Sequence, residues 1–130
     1  MPYLYQIDRV TNLVFIQVVN PCDVSSFIKA METIAKDERF DDQSKILFDT
    51  SLANTPTREE INELIDVVVS MEMFRGRKVA ILAEDVELYY ANKSISVMAN
   101  LSGTNLKVFV ELQKAIQWLD SDRKGKVMSH

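Results

Sequence analysis

The sequence predicts an α/β fold with a mixed five-stranded sheet and the element order β-β-α-β-α-β-α-β-α. Short runs of β-branched residues alternate with segments of helical periodicity, a pattern typical of parallel strands joined by crossover helices. The first two runs are separated only by a turn at residues 9–12, so we expect the first strand to be antiparallel. The central runs are apolar without alternation, which indicates burial on both faces.

The first half of the chain supplies a hairpin, a helix and a strand. Residues 3–8 alternate weakly and residues 13–19 are strongly β-branched, so both are predicted strands. Asp23 is suited to cap a helix over residues 24–36, which carries Phe27, Met31, Ile34 and Ala35 at helical spacing. After a polar loop, the run 46–49 is a predicted short strand.

The second half contains the longest predicted helices. Thr57 and Glu60 form a capping box that opens a helix to about Phe74, and Gly76 is suited to the left-handed residue that follows. A strand over 79–83, a helix over 86–101 that ends near Gly103, and a strand over 106–110 follow. The last predicted helix carries an apolar stripe of Leu112, Ala115, Ile116 and Leu119. We expect one domain over residues 1–120 and a flexible tail over 121–130.

The scarcity of certain residues excludes most familiar catalytic and cofactor sites. The 130 residues include 1 Cys, 1 His and 3 Gly. A single cysteine excludes an internal disulfide and a Cys-rich zinc site. The histidine is the last residue, His130, so none is left within the fold for a Ser-His-Asp or Cys-His arrangement. Three glycines cannot form a Walker loop or a dinucleotide fingerprint, and we expect no cofactor and no enzymatic activity.

The charge and the apolar pattern bear on partners and compartment. The formal net charge is −4, which argues against binding to nucleic acid, where basic residues supply most of the affinity. No apolar run is long enough for a membrane span, and the N-terminus lacks the pattern of a signal peptide. The cytoplasm is therefore the expected location.

Three segments of the chain resemble the SpoIIAA-like superfamily, which includes STAS domains and lies near the CRAL-TRIO lipid-binding folds. These segments are Ile46-Leu47-Phe48-Asp49, then Arg77-Lys78-Val79-Ala80-Ile81-Leu82-Ala83, and the stretch from Val108 to Leu119. The resemblance spans about Tyr3 to Leu119 and is to small bacterial proteins of this type. It implies a sheet wound sequentially with helices mainly on one side, and a function in binding partners or small ligands.

The resemblance also raises the question of a phosphorylation switch. Anti-sigma-factor antagonists carry an Asp-Ser-(Ser/Thr)-Gly motif between the third strand and the following helix. Here residues 50–57 contain neither that motif nor a glycine. Ser51, Thr55 and Thr57 remain candidate phosphorylation sites close to a helix N-terminus, although Thr57 is also explained as the helix cap.

Polar residues follow the ends of the predicted parallel strands, where ligands bind in sheets of this kind. Three carboxylates among them could hold a hard cation if they converged, but each also suits a strand end or a helix start, and we expect no metal site. A thiol near a helix N-terminus could be reactive, or it could simply be a small buried apolar group. The candidates at this rim are Asn20, Cys22, Asp49, Thr50, Ser51, Asn54, Glu84 and Asp85.

The two long helices carry more apolar residues than one core-facing stripe needs. The expected core stripes are Ile61, Leu64, Ile65, Val68 and Met71 in the first, and Leu88, Ala91, Ile95, Met98 and Ala99 in the second. Glu72 projects into the apolar arc, either because the helix end is already at the surface or because the carboxylate is paired in a pocket or interface. The candidate interface residues are Val67, Glu72, Met73, Phe74, Tyr90, Val97 and Leu101.

These observations support three hypotheses of function. The first is a non-catalytic module that binds a protein partner, as a homodimer, through the additional apolar stripe. The second is a carrier of a small molecule, such as an apolar ligand, of CRAL-TRIO type. The third, the least favoured, is an enzyme that uses the rim carboxylates.

Overall fold

Within residues 3–19 and 23–121, which the computed structural model describes, five strands form one mixed sheet. Their order in space, β1-β2-β3-β4-β5, follows the order along the chain. β1 and β2 are antiparallel and the other neighbouring pairs are parallel, as predicted. The strands are β1 (Tyr3–Asp8), β2 (Leu13–Val19), β3 (Lys45–Leu52), β4 (Lys78–Leu82) and β5 (Asn105–Phe109).

Helices connect the parallel strands in the order that the sequence predicts. Asp23 caps the first helix by accepting a 2.7 Å hydrogen bond from the backbone N–H of Ser26, which lowers the pKa of the Asp23 carboxyl. Gly103 follows the third helix with a left-handed φ of +95°. The helices are α1 (Val24–Lys36), α2 (Arg58–Ser70), α3 (Val86–Asn100) and α4 (Leu112–Asp120).

The two faces of the sheet are covered unequally. Ile46 and Phe48 of β3 belong to the larger core, which α1, α2 and α3 cover. Leu47 points to the opposite face and packs with Ala115 and Leu119 of α4 in a smaller core. The central strands are therefore buried on both faces, and the helices lie mainly on one side. The predicted fold class is confirmed.

Three phenylalanine rings form the centre of the larger core. Phe27 of α1 lies 6.1 Å from Phe48 of β3 and 6.4 Å from Phe74, measured between ring centroids. Phe48 and Phe74 are 6.3 Å apart. The edge of Tyr3 completes the group at 5.9 Å from Phe27. Aromatic pairs at such distances add to the free energy of area burial.

The end of α2 differs from the prediction of one helix reaching Phe74. The helix stops at Ser70, because Met71 adopts an extended backbone with φ −84° and ψ 121°, and a 3₁₀ turn over Glu72–Phe74 follows. This change of direction places Phe74 in the core at 1% exposure, so its assignment to an interface is wrong. Glu72 is exposed at the surface, the first of its two predicted environments.

Two other residues predicted for the interface are only partly available to a partner. Val67 and Met73 are half-buried and pack against the larger core. Both offer less apolar surface than the helical wheel predicts, because part of each side chain packs against the core, and Met73 also lies in the 3₁₀ turn after α2. The exposed apolar surface is therefore confined to other elements.

The buried face of α3 also differs from the predicted stripe. Met98 is about half exposed, whereas the polar residues Asn92 and Ser96 are buried. The side chain of Asn92 donates to the backbone carbonyl oxygen of Leu88, and the hydroxyl of Ser96 donates to the backbone carbonyl oxygen of Lys93. Both hydrogen bonds lie within the helix, so each side-chain donor keeps an acceptor when it is buried. The two polar side chains can therefore lie in the protein interior.

We predict that Phe74→Ala lowers the free energy of unfolding by about 3–5 kcal/mol, because it removes a ring from the centre of the core. Chemical denaturation monitored by circular dichroism measures the change. Tyr90→Ala is the control, since that ring is 65% exposed. Equal losses in the two variants would contradict the core position of Phe74.

Candidate functional site

The carboxyl ends of the parallel strands bring several rim residues together. Thr50 and Ser51 lie within β3, which runs three residues further than predicted. The hydroxyl of Thr50 is buried and donates to the carbonyl oxygen of Leu82 at 2.8 Å, which joins β3 to β4. Of the other candidates, Asn20 and Cys22 lie outside the described residues, as does the predicted flexible tail beyond residue 121.

Two of the three rim carboxylates approach each other. Asp49 accepts hydrogen bonds from the backbone N–H and the hydroxyl of Ser51, and the same hydroxyl oxygen lies 3.4 Å from a carboxylate oxygen of Glu84. Asp85 instead caps α3 by accepting from the N–H groups of Glu87 and Leu88. Among the residues described, no three His, Cys, Asp or Glu side chains are grouped so that they could hold a metal ion.

The candidate phosphorylation sites differ in their surroundings. Thr57 accepts a hydrogen bond from the N–H of Glu60, whose carboxylate accepts one from the N–H of Thr57 at 2.8 Å, so the predicted capping box is present. A phosphate on Ser51 would face the like charges of Asp49 and Glu84. Thr55 is exposed in the loop between β3 and α2. Phosphorylation at these positions remains a hypothesis.

A cavity of about 110 Å³ lies between the sheet and helices α2 and α3. Its wall is almost entirely apolar, and none of the described residues that line it is charged. Each strand contributes, together with α1, the loop after β3, α2, the turn at Phe74, and α3. The lining residues are Tyr3, Val18, Phe27, Phe48, Thr50, Ala53, Asn54, Pro56, Leu64, Val68, Phe74, Ile81, Leu88, Asn92, Ile95 and Leu106.

The sequence identified only part of this cavity. Thr50 and Asn54 were expected at the rim, and both line it. Asn92 was not singled out, although its side chain is 8% exposed and lies in the cavity wall. Its position four residues after Leu88 and three before Ile95, on the buried face of α3, is the signal that could have identified it.

The outer face of α3 carries the apolar stripe that the sequence predicted. Tyr90, Val97 and Leu101 are 65%, 51% and 78% exposed. The ring of Tyr90 meets the half-buried ring of Tyr89 edge to face, with centroids 5.3 Å apart. Val86 and Met98 add further exposed apolar area to the same helix. This α3 surface, defined by Val86, Tyr90, Val97, Met98 and Leu101, is a second candidate binding region.

Comparison of the chain with models of protein families, with curated proteins and with solved structures finds no match. In the part of the chain that is described, no helix has both the length and the apolar character needed to cross a membrane.

We predict that Thr57→Ala lowers the free energy of unfolding by about 1 kcal/mol, because the first turn of α2 loses its side-chain cap. Thermal and urea denaturation measure the loss. The matched control is Thr55→Ala in the preceding loop, which should change stability by less than about 0.5 kcal/mol. Similar losses in both variants would contradict a capping role specific to Thr57.

Proposed function

We propose that the protein is a non-catalytic binding module of SpoIIAA-like type that takes a small apolar ligand into the cavity between its sheet and helices α2 and α3. The observation that carries the proposal is the cavity itself, with its nearly continuous apolar wall. Pockets for small ligands are lined mainly by apolar and aromatic side chains with a few polar groups. The resemblance to small bacterial STAS-like proteins supports a cytoplasmic, bacterial setting.

The volume restricts the ligand to a small molecule. An engineered cavity of about 150 Å³ with a Leu, Ile and Phe wall stays dry and binds benzene. At about 110 Å³, the cavity here has room for one aromatic ring or a short alkyl chain. A long acyl chain would extend beyond this space. The proposal therefore narrows the hypothesis of an apolar-ligand carrier to ligands of roughly the size of benzene.

We expect toluene to bind saturably, with chemical-shift changes concentrated in the amides around the cavity in two-dimensional NMR spectra. Ala53→Leu should weaken this binding about tenfold, because the larger side chain occupies part of the space and removes contacts of about 0.8 kcal/mol per methylene group. Ala53 lines the cavity and packs against the larger core.

The matched control for this experiment is Ala35→Leu, which adds the same side chain at an exposed position of α1. It should leave toluene binding unchanged. Failure of the native protein to bind toluene, or equal affinity in the native protein and the Ala53→Leu variant, would overturn the proposal.

A second candidate function is association with a protein partner through the α3 surface, in the first place as a homodimer. The exposure of Tyr90, Val97 and Leu101 favours it, because contiguous apolar side chains on one helix are typical of interfaces between proteins. The ring of Tyr90 meets the half-buried ring of Tyr89 edge to face, and aromatic side chains of this kind are enriched in interfaces between proteins.

Sedimentation velocity at micromolar concentrations tests the homodimer. We expect a dimer for the native chain and dissociation constants at least about tenfold higher for the double variant Tyr90→Lys and Val97→Lys, because two charges would be placed in the interface. The control is Val10→Lys, at an exposed position in the turn between β1 and β2. A native chain that sediments as a monomer would contradict this second function.

A further inference from the structure

The amide of Asn92 is a polar group of the cavity wall whose hydrogen-bonding capacity the described residues do not fully use. Asn92 lies in the middle of α3, is 8% exposed, and forms part of the cavity wall. Polar side chains in such an apolar environment are found with partners, because burial removes them from water. Each polar atom of the buried Asn92 amide is therefore expected to have a hydrogen-bond partner.

The contact with Leu88 determines which way the amide of Asn92 is turned. A carbonyl oxygen can only accept a hydrogen bond, so the group that lies 2.9 Å from the Leu88 carbonyl oxygen must be the amide nitrogen of Asn92. The side-chain oxygen, Oδ1, consequently points elsewhere. No donor among the described residues is bonded to Oδ1. Every fully buried side-chain polar atom of these residues has a partner, so Oδ1 is not fully buried. It can therefore accept a hydrogen bond from a molecule that enters the accessible space beside it.

The remainder of the wall limits the chemistry that can complement this acceptor. The rings of Phe27, Phe48 and Phe74 supply aromatic surface. The lack of a charged side chain among the described lining residues leaves an ionised carboxylate or phosphate without a counter-charge, which disfavours anions. The Thr50 hydroxyl, which is also buried in this wall, already donates its proton to the carbonyl oxygen of Leu82 and can only accept a further bond.

We infer that the ligand of the cavity is a small neutral molecule with an apolar, ring-sized body and one hydrogen-bond donor, of the phenol or small-alcohol class, whose donor binds Oδ1 of Asn92. This inference rests on the proposed function, because it names the ligand class of the same cavity. Asn92 is the residue that distinguishes such a ligand from a pure hydrocarbon of equal size. A pocket that accepts a hydrogen bond from its ligand binds an analogue without that donor more weakly.

Phenol and toluene provide the test, because they differ only in the replacement of a hydroxyl by a methyl group of similar size. Their dissociation constants are measured by NMR titration of the native protein and of the Asn92→Leu variant. The ratio of the two constants, toluene over phenol, should fall about fivefold or more in the variant, which is the effect of one neutral hydrogen bond. The two probes differ in hydration free energy, but this difference is the same for the native protein and the variant. It therefore cancels when the ratios are compared.

Two further variants keep the experiment decisive. Asn92→Ala removes the same acceptor without adding bulk, and it replaces the leucine variant if that chain does not fold. Ser94→Ala is the control on the same helix: its hydroxyl is exposed and bonds the carbonyl oxygen of Tyr90, so the ratio should not change.

The outcomes separate the inference from the proposal on which it rests. If both probes bind but the ratio is the same in native and Asn92 variants, the role of Asn92 is overturned and the apolar cavity stands. If neither probe binds to the native chain, both fail. If phenol binds equally well to the Ala53→Leu variant, its site is not the cavity, and the inference is again overturned.

Discussion

The contact among Phe27, Phe48 and Phe74 connects parts of the chain that are far apart in sequence. One ring comes from α1, one from the central strand β3, and one from the turn after α2, and each pair is 6.1–6.4 Å apart. Because aromatic rings are large and have few rotatable bonds, they fix the distance between the helices and the sheet. All three also line the cavity, so the interaction that stabilises the larger core also shapes the candidate binding site.

The two faces of α3 differ in their surroundings and chemistry. Its inner face contributes Leu88, Asn92 and Ile95 to the cavity, and its outer face presents Tyr90 and Val97 to solvent. The apolar excess that the sequence shows in this helix therefore has two separate explanations. One part lines the cavity beside the sheet, and the other part is exposed to solvent.

Much of the fold was predictable because its signals are local. The capping box of Thr57 and Glu60, the cap of Asp23 and the turn between β1 and β2 each depend on residues only a few positions apart. Strand order placed Asp49 and Glu84 at the same edge of the sheet, but the hydroxyl of Ser51 that lies between their carboxylates was not predicted. The end of α2 was not predictable in this way. The α-helix ends before the 3₁₀ turn that places Phe74 in the core. A helical wheel assumes a continuous helix, so it cannot predict this change in packing.

The sequence by itself determined the α/β class, the order and approximate bounds of the elements, and the exposed stripe of Tyr90, Val97 and Leu101, because periodicity and caps act over one or two turns of chain. Only the tertiary structure decided that Phe74 is buried, that Met98 is half exposed, and that Asn92 lies in the wall of a cavity. The physical reason is that a cavity is space left between elements. Its existence depends on how sheet and helices pack against one another, and that arrangement is a property of the whole core.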